Sequence, residues 1–237
     1  MAVRNVYSVC GMCTVRCPIM VEEENGEVRF IHGNPHFDGI KGALCGRGVA
    51  GAALIKDSER PQKPMIRRGE RGEGKWEAVG WEAALDHTAE HLQEVIDSYG
   101  GRSLLFSDRG GPFRDLHRAF VRGLGSPNWS NHDSACARNV QHAAQSLFGF
   151  GRKGVVYDLK NARHVVLQTR NMFEAINVKE VNDLLDAMEN GCKLTVIDIR
   201  ANVPATKADR FLMIRPGSDY ALNLAVIHEL LERKLYD

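Results

Sequence analysis

Nowhere in this 237-residue chain does an apolar run approach the roughly eighteen residues that cross a bilayer, so nothing in it reads as a membrane span. An excess of one charge is missing too. Thirty-one basic residues stand against thirty acidic ones, and the net charge of +1 leaves no electrostatic footprint for nucleic acid. Six cysteines in a chain of this length do not make a disulfide scaffold. Internal repeats and low-complexity tracts are absent. Met1 stands only a few residues before the first expected strand, with no room for a signal peptide. The pair Arg67-Arg68 is internal and runs into Gly-Glu-Arg-Gly-Glu-Gly, unlike a twin-arginine export signal. The chain as written is therefore expected to stay in the cytoplasm. What it does have is an apolar content of 43%, enough for one large core or two small ones.

The cysteines are concentrated. Cys10-Gly-Met-Cys13-Thr-Val-Arg-Cys17-Pro18 carries three, and Gly42-Ala-Leu-Cys45-Gly-Arg47-Gly48 supplies a fourth from a remote loop. Four soft thiolates without a histidine select an iron–sulfur cluster or a structural zinc. Zinc sites usually pair two C-x2-C knuckles, whereas here the far ligand stands alone and the near run is C-x2-C-x3-C-Pro, which favours a four-iron cluster.

Residues 1–58 read as a small β-rich module organised by that metal. Val3 to Val9 alternates towards Cys10, and Ile19–Glu24 and Glu27–Ile31 flank Asn25-Gly26, a strong two-residue hairpin signal. Residues 59–80, with their prolines and glycines, read as a connector or hairpin. Residues 81–237 read as an α/β region. It opens with an amphipathic helix over Trp81–Tyr99 stopped by Gly100-Gly101, then a short buried strand over Ser103–Ser107 and a helix over Arg114–Leu124 entered through Gly110-Gly-Pro112. Arg163–Gln168, Val178–Glu189 and Lys193–Ile199 form strand, helix and strand, hence a parallel βαβ unit of Rossmann-like character. Phe211–Arg215 adds a strand, and Ser218 caps a last helix with Tyr220, Leu224, Ile227, His228 and Leu231 on one face.

Gly149-Phe-Gly151-Arg-Lys-Gly154 matches the dinucleotide fingerprint in letters but not in context, because a helical stretch precedes it. Cys136 follows a small, polar run and leads into a helix, where free N–H groups favour a thiolate. Taken alone it is better explained as a buried structural cysteine, since free cysteine is commonly core. Cys192, at a helix-to-strand turn, reads as structural.

Taken together, several runs carry a resemblance: the four-cysteine pattern with Arg47-Gly48, Arg60-Pro through Trp76 and Trp81-Glu-Ala-Ala84-Leu85, Val196-Ile-Asp198-Ile-Arg200, and Ile214-Arg215-Pro-Gly217-Ser-Asp219. They resemble the amino-terminal part of molybdopterin oxidoreductases of the dimethyl-sulfoxide-reductase class, most like the thiosulfate and polysulfide reductase branch. The resemblance implies a [4Fe-4S] cluster on Cys10, Cys13, Cys17 and Cys45. It also implies a molybdenum or tungsten held by two molybdopterin guanine dinucleotides, with Cys136 as the protein's thiolate on the metal. Arg47 stands where the family puts a cation between cluster and pterin.

Asn171, Glu174, Asp198, Arg200, Gly217 and Asp219 follow strand ends or open a helix, where ligands of open α/β sheets bind. Capping could by itself explain Asp219. Thr169-Arg170-Asn171-Met172 departs from the family's Gly-x-Asn-Pro, and the family's catalytic subunits run on far beyond 237 residues. The implied function is reduction of a sulfur oxyanion or polysulfide in anaerobic respiration. Electrons would be relayed from a partner iron–sulfur subunit and a quinol-linked membrane subunit, and the remaining carboxy-terminal part of the catalytic subunit would be a further partner. Family members are often periplasmic, exported by the twin-arginine route. The rival expectation is a non-catalytic electron-transfer or assembly subunit without molybdenum.

Overall fold

The computed structural model describes residues 3–108, 113–151, 154–174 and 177–236. Its contacts divide the chain into two compact units, Met1–Ser58 with Tyr157–Asp237, and Glu59–Val156. This is an α/β protein with a small β-rich beginning and parallel sheets. The division differs from the one expected at 1–58, 59–80 and 81–237. The β-rich module does not stand apart, because residues 157–237 pack against it, and residues 59–80 fall inside the second unit.

In the first unit, β1 (Arg4–Val9), β2 (Pro18–Glu24) and β3 (Glu27–Gly33) form an antiparallel meander. The β2–β3 turn is the expected one. Asn25 and Gly26 have φ of 57° and 84°, the left-handed pair that matches the twist of the strands it joins. The Glu23 carboxylate accepts the Gly26 N–H, and that bond, with Arg4 second, holds the carboxyl below its ordinary value. β1 departs from expectation: all six of its residues are exposed, so its alternation buries no face.

Gly33 ends β3 because the chain returns across it: a Cβ there would lie 2.1 Å from the Ala43 carbonyl oxygen. That crossing leads into Cys45 and two short helices, α1 (Gly46–Val49) and α2 (Gly51–Lys56).

The rest of this unit is layered. After the second unit's elements, β8 (His164–Gln168), α6 (Val178–Glu189), β9 (Lys193–Asp198), α7 (Val203–Lys207), β10 (Arg210–Met213) and α8 (Asp219–Glu232) follow one another. The strands pair in parallel in the order β10-β9-β8, as strand, helix, strand predicts. Their core holds Val165, Leu167, Met172, Leu184, Ala187, Cys192, Leu194 and Val196, which makes Cys192 structural. A second core joins Cys10, Cys17, Ile19, Ile31 and Ile40 to Val178 of α6.

The other face of the sheet is bare. Val166 is 55% and Met213 65% exposed, whereas parallel sheets ordinarily carry cover on both faces. α8 has no buried residue, although apolar side chains surround it; Val226 and Leu230 are exposed along with Tyr220, Leu224, Ile227 and Leu231. Helices apolar all round are built for burial. Ser218 stands at the N-cap position but its hydroxyl donates to the Arg215 carbonyl instead, which corrects its expected capping role.

The second unit holds β4 (Met65–Arg67), β5 (Trp76–Ala78), α3 (Trp81–Tyr99), β6 (Phe106–Asp108), α4 (Arg114–Gly123), β7 (Trp129–Asn131) and α5 (Arg138–Phe148). β4 and β5 are a hairpin, and α3 has the expected limits, its C-cap Gly100 having φ 77°. The strand expected at Ser103–Ser107 is shifted: Gly101–Ser103 is a 3-10 turn, and only Phe106–Asp108 pairs, in parallel, with a β7 that the sequence did not announce. Gly110-Gly-Pro112 lies outside the described residues. Gly149 is the left-handed C-cap of α5, which accounts for the first glycine of the G-x-G-x-x-G string without a nucleotide. Among the described residues, no helix is long and apolar enough to cross a membrane.

Candidate metal and cofactor centre

Three cysteines occupy the loop between β1 and β2. The loop is closed at its base by the Cys10 N–H, which donates to the Cys17 carbonyl at 2.8 Å, and Arg16 takes a left-handed φ of 57° just before Cys17. Cys45 is the N-cap residue of α1, its carbonyl accepting from the Gly48 and Val49 N–H groups at 2.9 and 3.1 Å. All four are free thiols; Cys10 and Cys17 are buried, Cys13 and Cys45 half-buried.

Cys17 lies within electrostatic reach of the other three thiols. Burial pushes the Cys17 thiol above its ordinary value, and the Cys13, Cys10 and Cys45 sulfurs, in that order, push it further. Thiolates crowded together destabilise one another unless a cation sits among them. Among the described residues, no group of three or more His, Cys, Asp or Glu side chains could hold a single metal ion. The donor set suits a cluster: four sulfurs, no nitrogen, and an apolar shell of Ile19, Ile31 and Ile40. Arg47 is exposed on α1, two residues beyond Cys45.

In the same unit, the expected cofactor residues gather at the carboxyl ends of three neighbouring strands. Beyond β8, Asn171 accepts the Glu174 N–H at 3.1 Å and donates its amide to the Glu174 carboxylate at 2.5 Å. Beyond β9, Arg200 donates to the same carboxylate oxygen at 2.8 Å. Asn171, Glu174 and Arg200 are thus one network. Beyond β10, Gly217 turns the chain with φ 81°, and Asp219 at the start of α8 accepts from Gln168 at the end of β8 at 3.2 Å. Asp219 therefore does more than start its helix.

Asp198 behaves differently: it is 9% exposed, and its two oxygens accept from the Ile199 N–H and the Asn202 amide, both at 2.7 Å. Its carboxylate shapes the loop that presents Arg200. Gln168 and Asn202 escaped the sequence reading, although Asn202-Val-Pro204 carried a legible signal, an N-cap followed by proline in the first turn.

Cys136 belongs to the second unit. Asn131 at the end of β7 accepts the Asp133 N–H at 3.0 Å, a 3-10 turn over His132–Ala135 follows, and Cys136 then stands exposed before Ala137, the N-cap residue of α5. It precedes the helix as expected and presents its thiol to solvent rather than to a core. β7 is held from behind by Asp108, whose Oδ2 accepts from His117 Nδ1 at 2.9 Å and Trp129 Nε1 at 3.1 Å. Arg118 covers the Trp129 ring at 4.1 Å, a cation–π contact. No local pattern announced Asp108 or His117, since their partners are remote in sequence.

Residues 3–57 match the Fe4S4 domain of molybdopterin oxidoreductases, and residues 60–237 match the molybdopterin oxidoreductase family. The chain belongs to the molybdopterin oxidoreductases. It is 34% identical, over 97% of its length, to the molybdopterin-containing subunit of thiosulfate reductase from Salmonella typhimurium, of which it covers 30%. It is 30% identical over 98% of its length to acetylene hydratase from Syntrophotalea acetylenica, covering 32% of that protein. The solved structure of acetylene hydratase from Pelobacter acetylenicus superposes with a TM-score of 0.79 at 27% identity, covering 98% of this chain and 32% of that one.

The chain thus spans about a third of the length of these relatives. The family's cofactors are its own: a [4Fe-4S] cluster and a molybdenum or tungsten molybdopterin.

Proposed function

We propose that this chain forms the amino-terminal part of a molybdenum or tungsten oxidoreductase that reduces a sulfur oxyanion or polysulfide. The observation that carries this reading is that the loops bearing Cys10, Cys13, Cys17 and Cys45 lie in the same compact unit as the strand-end network of Asn171, Glu174 and Arg200. Similarity to a thiosulfate reductase subunit favours the sulfur substrate; a hydratase among the relatives means that family membership alone does not choose the reaction.

The metal and pterin supply the two-electron chemistry when bound, and the cluster supplies one-electron steps. The protein's residues hold and orient them. Cys10, Cys13, Cys17 and Cys45 would ligate the cluster as thiolates, with Ile19, Ile31 and Ile40 sharing a core with the buried Cys10 and Cys17. Arg47 places a positive charge beside the Cys45 loop. Arg200 offers a forked donor to a pyrophosphate, and Glu174 and Asn171 fix its direction. Gly217 leaves room at the start of α8, and Asp219 offers an acceptor to a guanine edge. Asp198 works through the loop it holds. Cys136 supplies a thiolate to the metal from an exposed position before α5.

Electrons arrive from a partner iron–sulfur subunit, with membrane attachment assigned to a quinol-linked partner, in the cytoplasm or, after twin-arginine export, in the periplasm. A second reading, an electron-transfer or assembly subunit without molybdenum, is favoured by Asp198, whose two oxygens are already taken by the Ile199 N–H and the Asn202 amide. Anaerobic purification followed by metal analysis and a reduced-viologen assay against thiosulfate, tetrathionate and arsenate separates them. Iron with molybdenum, and turnover once the remaining polypeptide is supplied, supports the first. Iron alone under those conditions supports the second.

A further inference from the structure

Cys45 is the cluster ligand remote from the others, and its loop has no regular secondary structure between β3 and α1. Such a loop needs an external support to hold a sulfur in place, and the support comes from α6. The Asn182 amide nitrogen donates to the Gly39 and Ile40 carbonyls, both at 3.1 Å. Two carbonyl acceptors admit only an NH2 donor, so this orientation of the amide is fixed by chemistry. One turn further along α6, Asp186 accepts from Lys41 Nζ at 2.9 Å. Between these contacts Ile40 is 2% exposed, and Val178 at the start of α6 shares a core with Cys10 and Cys17. Ala43, Leu44 and Cys45 line one side of a small cavity of about 180 Å³, with Val178, Val181 and Asn182 on the other.

We propose that Asn182 is a positioning residue for the iron–sulfur cluster: through the Gly39 and Ile40 carbonyls it sets where the Cys45 sulfur stands, and Lys41–Asp186 clasps the same loop. This rests on the four-cysteine cluster reading above. α6 begins at Val178, soon after Asn171 and Glu174 in the sequence, so the helix that supports the Cys45 loop follows the strand-end network closely along the chain.

The test uses the anaerobically purified protein with its cluster. Asn182→Asp keeps the shape of the side chain and turns its two donors into acceptors facing carbonyls; Asn182→Leu removes the bonds and keeps the bulk. Both variants should lose iron to a chelator about thirtyfold faster than wild type, the scale of two unmade hydrogen bonds. They should also change the cluster's reduction potential and its EPR line shape, which respond to ligand position and solvent access. Lys41→Asn keeps a residue that tolerates the left-handed φ of 51° and should raise the loss about twofold, as expected of an exposed pair.

Asp209→Ala is the control. It breaks the Lys193 pair and the Leu194 N–H bond elsewhere in the same α/β layer, lowering the melting temperature without disturbing iron or potential. Unchanged iron loss and potential in both Asn182 variants overturns the proposal, as does equal iron loss in Asp209→Ala. Should an Asn182 variant fail to fold, the Lys41→Asn rate and potential decide alone. Wild-type protein without iron would instead sink the cluster reading itself.

Discussion

The two contact units differ in what they bury. The first contains both clusters of buried side chains, with Leu184 and Leu194 fully enclosed, and it holds the four cysteines expected to ligate a cluster and the strand-end network. In the second, the nineteen-residue α3 has no buried residue, and among the described residues Val121, Ala137 and Ala144 are its only buried apolar ones. Local helix signals are therefore satisfied in both units, yet among the described residues only the first buries apolar clusters. Groups that need fixed geometry belong in such a place, and the second unit's thiol at Cys136 is by contrast exposed.

The largest effect expected from this contrast separates two cysteines. Cys17→Ser should remove most of the iron, because it deletes a buried thiol within electrostatic reach of the other three. Cys136→Ala in a complete enzyme should abolish turnover and leave iron at the wild-type level. Iron analysis beside a viologen assay reads both, and parallel loss of iron in Cys136→Ala would dissolve the distinction between the units.

Next come the cores. Leu194→Ala empties a site with 0% exposure and should cost roughly 2–5 kcal/mol of stability, read from the denaturant midpoint. Leu85→Ala on α3, where the side chain is 62% exposed, should stay within about 0.5 kcal/mol. Equal costs would mean that α3 is as well packed as the sheet. Between these lies Asp108→Ala, which strips the acceptor from His117 and Trp129 and should cost about 1–3 kcal/mol, seen also in the Trp fluorescence.

How much of this was legible beforehand follows the same contrast. Asn25-Gly26 and Gly100 did in the structure what their backbone chemistry dictates, because a turn or cap is decided by the residues within it. The βαβ unit was equally plain, since β-branched runs and helical periodicity are local. The chain's division was not legible. Whether residues 157–237 pack against residues 1–58 depends on Asn182 reaching Gly39 and Lys41 reaching Asp186, pairs more than 140 positions apart. Alternation in β1 and the stripe on α3 promised burial that neither element obtains, for amphipathic patterning says which face prefers cover and not whether cover exists.

The smallest expected effect concerns pH and salt at the Lys41–Asp186 clasp. The hydrogen bond from Lys41 is the main reason the Asp186 carboxyl is held below its ordinary value, and the bond to Asp186 is likewise what holds the Lys41 ammonium above its own. A depressed acid contributes stability above its unfolded value and loses it as pH falls through the folded one. A raised base contributes below its unfolded value and loses it as pH rises through the folded one. Both groups are thus ionised together from about pH 4 to about pH 10, and the clasp is constant throughout that window. The ratio of iron-loss rates between Lys41→Asn and wild type should accordingly stay flat from about pH 5 to about pH 9. Salt acts differently, because the Lys41 and Asp186 side chains are 55% and 28% exposed and ions reach them. Raising salt to about 1 M should bring the wild-type rate up towards that of Lys41→Asn, with little change in the variant. A ratio that varies steeply near neutral pH would show that some other titrating group holds the Cys45 loop, and the clasp would lose its part in supporting the cluster.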